Sequence, residues 1–212
     1  MSHARFFRYI QDAPWYADFL QPVLDELKSL PPGATVLDMG TGAGKLIAMG
    51  QALPDVQWEG ADVDAAMLAE ARKRPALRHT ALHHLSAGST LPFTDARYEA
   101  VTFCSVLFLL SDPMPLLEET WRVLRPHGFI VALTPSGSGQ SRPILRNQIG
   151  WRFHNWTWFV WRQMTAAAGQ RWGQQAPLAA FARRHGATYQ KQAVFHEMAT
   201  IEMVFYGERM PV

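Results

Sequence analysis

The residues best placed to do chemistry lie at 35–46, TVLDMGTGAGKL. Thr35-Val36-Leu37-Asp38 reads as a buried strand that ends on a carboxylate, and Gly40, Thr41, Gly42 and Gly44 then form a turn that leads into a helical pattern. Such a turn brings bare backbone N–H groups close to a ligand, because glycine adopts left-handed backbone and carries no Cβ. Two phosphate-binding patterns fail here. A dinucleotide fingerprint counted from Gly40 or Gly42 requires glycine at position 45 or 47, where Lys45 and Ile47 stand. A phosphate-cradling loop requires Ser or Thr after Gly44-Lys45 and a further glycine at 39, where Leu46 and Met39 stand. What remains is an acid two residues ahead of a G-x-G-x-G turn.

The elements that position this turn follow from apolar spacing and breakers. Residues 4–30 carry helical spacing interrupted at Pro14, which predicts two helices that either cap the sheet or lid the ligand. A helix over 46–52 ends at Pro54, a strand over 56–61 ends on Asp62, and AAMLAEARKR over 65–74 is a further helix. A short strand is expected near 80–84, then a strand over 100–104, a helix over 115–124 and a strand over 129–134. After a helix at 176–185 the chain closes with strands near 188–195 and 199–206, an antiparallel pair joined by a short turn. The fold class is therefore α/β: a doubly wound, mostly parallel seven-stranded sheet with an antiparallel last strand. Such sheets bind ligands beyond the carboxyl ends of their strands, where the glycine turn lies. One domain is expected over 1–212, divided into an N-terminal helical lid (1–30), a ligand-binding core (33–135), a helical aromatic-rich insertion (136–174) and a C-terminal helix with a strand pair (175–212).

With its acid at Asp38, the turn resembles motif I of the S-adenosylmethionine-dependent methyltransferases with the Rossmann-like fold (class I, methyltransferase type 11/25-like). The resemblance continues in order. Asp62 ends the second strand within GADVDAAMLA, similar to the family's acidic ribose-binding motif. Leu91-Pro92-Phe93 with Tyr98-Glu99-Ala100-Val101 is similar to its "LPF…FDxV" segment, and Arg122-Val123-Leu124-Arg125-Pro126-His127-Gly128 to its "RVLKPGG" turn. The resemblance implies S-adenosylmethionine as cofactor, held by Asp38, Gly40, Thr41, Gly42, Gly44, Asp62, Val63, Met67, Ser89, Cys104 and Ser105. Asp62 would accept the ribose hydroxyls, Val63 and Met67 would pack on adenine, and Cys104 and Ser105 would line the methyl-transfer point. A charged acceptor strengthens such hydrogen bonds. The sequence departs from the family in three places: Ala87 stands where an acid usually meets the adenine amino group, which leaves Ser86, Ser89 or a carbonyl to substitute; Glu99 replaces Asp; and His127 replaces glycine.

The implied activity is in-line transfer of a sulfonium methyl to an O or N of a small, hydrophobic or lipid-like acceptor. Positioning and water exclusion carry most of that catalysis. Tyr16 and His154 are the candidates for a general base, and Tyr16, Trp151, His154 and Trp158 for contact with the acceptor. Trp151, Phe153, Trp156, Trp158, Phe159 and Trp161 cannot share one helical face, so some must line a pocket, a dimer interface or a membrane surface. Residues 1–119 hold 15 of the 18 Asp and Glu, whereas between Thr120 and His196 there are ten Lys or Arg and no acid, which reads as a solvated basic face or as a surface for an anionic partner such as a lipid headgroup, a phosphate or a nucleic acid. A peripheral membrane contact and a homodimer are both compatible with this. Two other readings stay open: a non-catalytic S-adenosylmethionine-binding module and a nucleic-acid methyltransferase. Against the latter, Cys104-Ser105-Val106-Leu107 occupies the place of the Asn/Asp-Pro-Pro-aromatic tetrad of amino-methylating DNA enzymes. The lone Cys104 makes a disulfide framework impossible within the chain and argues against a thiolate metal site. With no long apolar segment at the start, a cytoplasmic location is the expectation.

Overall fold

The structure, a computed structural model, describes residues 2–53, 55–88, 90–139 and 153–207. Its elements are α1 (His3–Gln11), α2 (Pro14–Leu27), β1 (Thr35–Met39), α3 (Lys45–Gly50), β2 (Gln57–Asp62), α4 (Ala65–Ala71), β3 (Ala81–His84), β4 (Tyr98–Cys104), α5 (Met114–Val123), β5 (Leu124–Pro135), α6 (Thr157–Gln175), α7 (Pro177–Arg184), β6 (Thr188–Val194) and β7 (Ala199–Phe205). They build one seven-stranded sheet in the order β3-β2-β1-β4-β5-β7-β6. Neighbours from β3 through β5 are parallel, and β7 runs antiparallel to both β5 and β6. The strand order reverses between β1 and β4, which places the switch point at the end of β1.

Alternation along the strands divides the core between the two faces of the sheet. Val36, Phe129, Val131 and Leu133 join α2 and α3 on one face, while Leu37, Val101, Ile130 and Ala132 join α5 and α7 on the other. Pro14 opens α2 rather than merely separating two helices, and Trp15, Phe19, Leu20, Val23, Leu24 and Leu27 bury its inner side. The strand expected over 129–134 is longer than its apolar run, because Leu124 pairs with Tyr98 and the chain between Arg125 and Gly128 continues the ladder through an irregular register. His127, standing where the family has glycine, adopts φ 67°, a backbone conformation that glycine reaches without strain. Glu99 has a function of its own: it accepts from the Thr35 N–H at 2.7 Å, at the start of β1, and pairs with Arg125.

Helix α6 belongs to both layers. Trp158 and Trp161 sit in the core of the α2 face and Trp172 in that of the α7 face. Between them Gly169 lies against the end of β5, where an added Cβ would stand 1.9 Å from the Pro135 carbonyl oxygen. Alanine in an open helix position gains up to about 1 kcal/mol over glycine, but overpacking costs about 1–3 kcal/mol. Against rigid backbone the clash wins: Gly169→Ala is expected to lower the unfolding free energy by about 2 kcal/mol in chemical denaturation. A variant as stable as the parent would show that α6 does not press on β5 in solution.

Candidate functional site

The site begins with the constraint that shapes the glycine turn. Gly40, Gly42 and Gly44 have φ of 70°, 56° and 75°. All three are in the left-handed region, where a side chain would be strained. The turn is also crowded: a Cβ at Gly40 would lie 2.3 Å from Cγ2 of Val106, and one at Gly42 would lie 2.9 Å from Nε2 of Gln11 and 3.1 Å from Cε of Met67.

The N–H groups of the turn are not bare, in contrast to the expectation from sequence. Gly40 and Thr41 donate to the Ala61 carbonyl at 2.8 and 3.1 Å, Gly44 donates to the Thr41 carbonyl at 2.9 Å, and Gly42 donates to Oδ2 of Asp62 at 2.7 Å. The other Asp62 oxygen accepts from the Asp64 N–H at 2.9 Å. The parallel β1–β2 pairing explains this, since Met39 stands beside Ala61 and the turn begins where β2 ends. Asp62 is half-buried, and each carboxylate oxygen has lone pairs left for a ligand. It therefore holds the turn and can also receive hydroxyl groups.

Asp38 is in a different setting. It pairs in register with Thr102 on β4, and the Thr102 hydroxyl donates to Oδ1 at 2.8 Å. Burial pushes the Asp38 carboxyl up to about 7, with the Asp62 charge adding to the rise and the Thr41 and Thr102 hydroxyls opposing it. The Thr41 hydroxyl leans toward the same carboxyl without forming a well-aligned bond. Tyr16 reaches this pocket from α2. Its hydroxyl is held protonated mainly by burial and then by the nearby Cys104 and Asp38, while the Gln11 amide opposes. Burial and Asp38 likewise keep the Cys104 thiol protonated. Tyr16 thus offers the pocket a hydrogen-bond donor at neutral pH.

Tyr16, Asp38, Asp62, Cys104 and the glycine turn therefore converge. Ser105 adjoins them with φ 61° and a buried hydroxyl that has no hydrogen-bond partner. Met67 packs with Ala4, Ala43 and Phe7, so α1 lies over the turn, whereas Val63 is exposed. His154 faces α1: its ring stacks on Tyr9 with centroids 3.9 Å apart, and Nε2 donates to the Tyr9 carbonyl. Trp158 is fully buried in the core, with its indole N–H unpaired. Ser89 and Trp151 lie outside the described residues. Sequence reasoning missed Gln11, whose buried Oε1 has no partner, together with Thr102 and Val106. No local pattern marks any of the three; only the fold brings them to the turn. A separate cavity of about 430 Å³, lined by Arg72, Lys73, Arg74 and Arg78 among others, includes none of these groups.

The Asp38 shift has a stability consequence. The folded value near 7 exceeds the unfolded value of 3.8, so the folded state holds the extra proton and stability falls as pH rises through that window. Raising pH from 5.5 to 8 should lower the unfolding free energy by about 2 kcal/mol through this group. Asp38→Asn should flatten that part of the profile, and an unchanged slope in denaturant titrations would count against a buried, titrating Asp38.

Comparison with known proteins agrees with the motif order. Residues 36–128 match a family described as a methyltransferase domain. A ubiquinone/menaquinone biosynthesis C-methyltransferase of Desulfotalea psychrophila is 38% identical over 123 residues, 56% of this chain and 50% of that protein. A malonyl-acyl-carrier-protein O-methyltransferase of a Marinomonas species is 30% identical over 136 residues, 62% of this chain and 50% of that one. The chain thus spans about half the length of these curated relatives. In fold it is similar to a SAM-dependent methyltransferase from Aquifex aeolicus, with a TM-score of 0.68 at 18% identity over 97% of this chain and 100% of that one.

Proposed function

We propose, from the premise that residues 36–128 form a methyltransferase domain, that the protein transfers a methyl group from S-adenosylmethionine to a small, hydrophobic acceptor. One observation carries the donor half of this reading. Asp62 grips the Gly42 N–H at 2.7 Å and keeps acceptor capacity, while Gln11 Oε1 and Ser105 Oγ lie buried and unpaired around the same turn. Buried polar atoms without partners are rare in folded proteins, and a polar ligand would satisfy them. The residues fit the group: Asp62 for ribose hydroxyls, and Gln11, Ser105 and Asp38 for the charged amino-acid end. When bound, S-adenosylmethionine supplies a methyl group already activated on a sulfonium.

The chain's own contribution is then positioning and dryness. Tyr16 can donate a hydrogen bond beside Cys104 without giving up its proton, since burial favours the neutral phenol. The rings of Tyr16, Trp15, Phe19 and Trp161 pack in the core with centroids 4.9–5.5 Å apart, which fixes where the phenol lies. A relative named for ubiquinone and menaquinone biosynthesis supports an apolar acceptor. The His154 Nε2 proton is committed to the Tyr9 carbonyl, which leaves Nδ1 as the acceptor nitrogen. Helix α1, carrying Gln11 over Gly42, serves as the lid.

Calorimetry with S-adenosylmethionine and its demethylated product is the direct test. Asp62→Ala should weaken binding by about tenfold or more, since it removes charge-assisted acceptors worth about 1.5–3 kcal/mol each and also frees the turn. Gln11→Ala should weaken binding by about fivefold and leave Tm within a few degrees, on the scale of one neutral hydrogen bond. Absence of heat with the unaltered protein would refute the reading. A labelled-methyl screen over quinols, phenols, acyl esters, RNA and DNA then tests the acceptor. Transfer to nucleic acid, or donor binding with no transfer to any acceptor, would overturn the small-molecule assignment.

A further inference from the structure

Helix α6 sorts its large side chains by face. Trp158, Trp161 and Trp172 turn inward, and in the short turn Phe153–Trp156 and the first two turns of α6 an apolar stripe turns out. Phe153 is 87% exposed, Trp156 52% and Met164 56%, with Phe159 and Val160 exposed between them. Scattered apolar side chains are normal on a soluble surface, but a contiguous stripe of large ones marks an interaction site.

The charges around the stripe select its occupant. From 153 to 175 the only Asp, Glu, Lys or Arg residues are Arg162 and Arg171, so the helix and the turn before it carry two cations and no acid. A symmetric dimer through this face would bring the stripe onto itself and set cation against cation, with no carboxylate in the stretch to pair them. An anionic lipid surface would instead receive aromatic rings at the headgroup level and attract the arginines. No helix among the described residues is long and apolar enough to cross a membrane, so the contact would lie in the interface plane.

We propose that the exposed stripe Phe153, Trp156, Phe159, Val160 and Met164 docks this protein on the surface of an anionic lipid bilayer. The stripe abuts His154, which stacks on Tyr9 of α1, so docking would set the α1 lid beside the bilayer. The docking face stands independently of the methyl-transfer reading.

The test is co-sedimentation of the full chain with phosphatidylcholine vesicles, with and without phosphatidylglycerol. The unaltered protein is expected to pellet with the anionic vesicles, and added salt should weaken that binding. The double variant Trp156→Ser/Phe159→Ser should lose vesicle affinity by about tenfold or more, as expected for two interfacial aromatic anchors. Both side chains are partly exposed, and circular dichroism and calorimetric affinity for S-adenosylmethionine matching the parent are the control that the fold is kept. Arg171→Glu, also on the exposed side, should reduce binding to anionic vesicles only. Protein that stays in the supernatant with both vesicle types would overturn the proposal, as would a double variant that pellets like the parent. Concentration-dependent dimerisation in sedimentation velocity that the double variant abolishes would assign the face to a second copy and overturn it equally. Donor binding in the same preparations keeps this result separate from the outcome for methyl transfer.

Discussion

The hydrogen bond from the Gly42 N–H to Asp62 holds the tip of one strand's loop on the tip of the next, and the site depends on it. The contact is short in space because β1 and β2 are parallel neighbours in register, with Met39 beside Ala61. It forces the turn into left-handed backbone, which only the three glycines accept without strain. Val106, Gln11 and Met67 then close on the turn from three different elements, at distances that leave no room for a Cβ. A carboxylate that both shapes the turn and keeps free lone pairs lets one residue set the geometry of the pocket and contribute to its binding surface.

Away from the pocket, the motif residues serve chiefly to brace it. Arg122 donates to the carbonyls of Leu91 and Phe93 at 3.0 and 2.9 Å and pairs with Glu119, which itself accepts from the Leu91 N–H at 2.8 Å. Helix α5 is thereby tied to the loop before β4. Glu59 gathers His83, Arg97 and the Tyr98 hydroxyl and so links β2, β3 and the loop that enters β4. On the far side Glu202, buried in β7, accepts from Trp172 Nε1 at 2.6 Å and from the Tyr189 hydroxyl at 2.5 Å, and so fixes the later part of α6 to the terminal hairpin. Two donors for one buried carboxyl group meet the requirement that buried polar groups be hydrogen-bonded.

Helix α6 links this rigid frame to the outer surface. Its inward tryptophans join both cores, and Gly169 lets it cross the end of β5 in contact with backbone. Its outward stripe is then presented on a fixed support and not on a loose loop. The short turn before the helix meets α1 through Tyr9 on His154, and the helix itself meets α2 through the Trp15 indole, which donates to the Thr157 hydroxyl at 2.9 Å. The N-terminal helices thus divide the two roles that their spacing left open: α2 packs on the sheet and α1 covers the turn.

The sequence by itself determined the alternation of strands and helices, the place of the glycine turn, the acid at Asp62 and the order of the family motifs. Those features are local: apolar periodicity, breakers and short spacings act within one element or across one turn. It also showed that the aromatics of the insertion could not share a face. Which of them lie inside was decided only by the tertiary structure, because a helix has no inside until a neighbour covers one side of it. The same holds for Gln11 over Gly42, for Thr102 opposite Asp38 and for the protonated state of Tyr16. Each depends on groups far apart in the chain, and on burial that exists only once the sheet and its helices have closed around them.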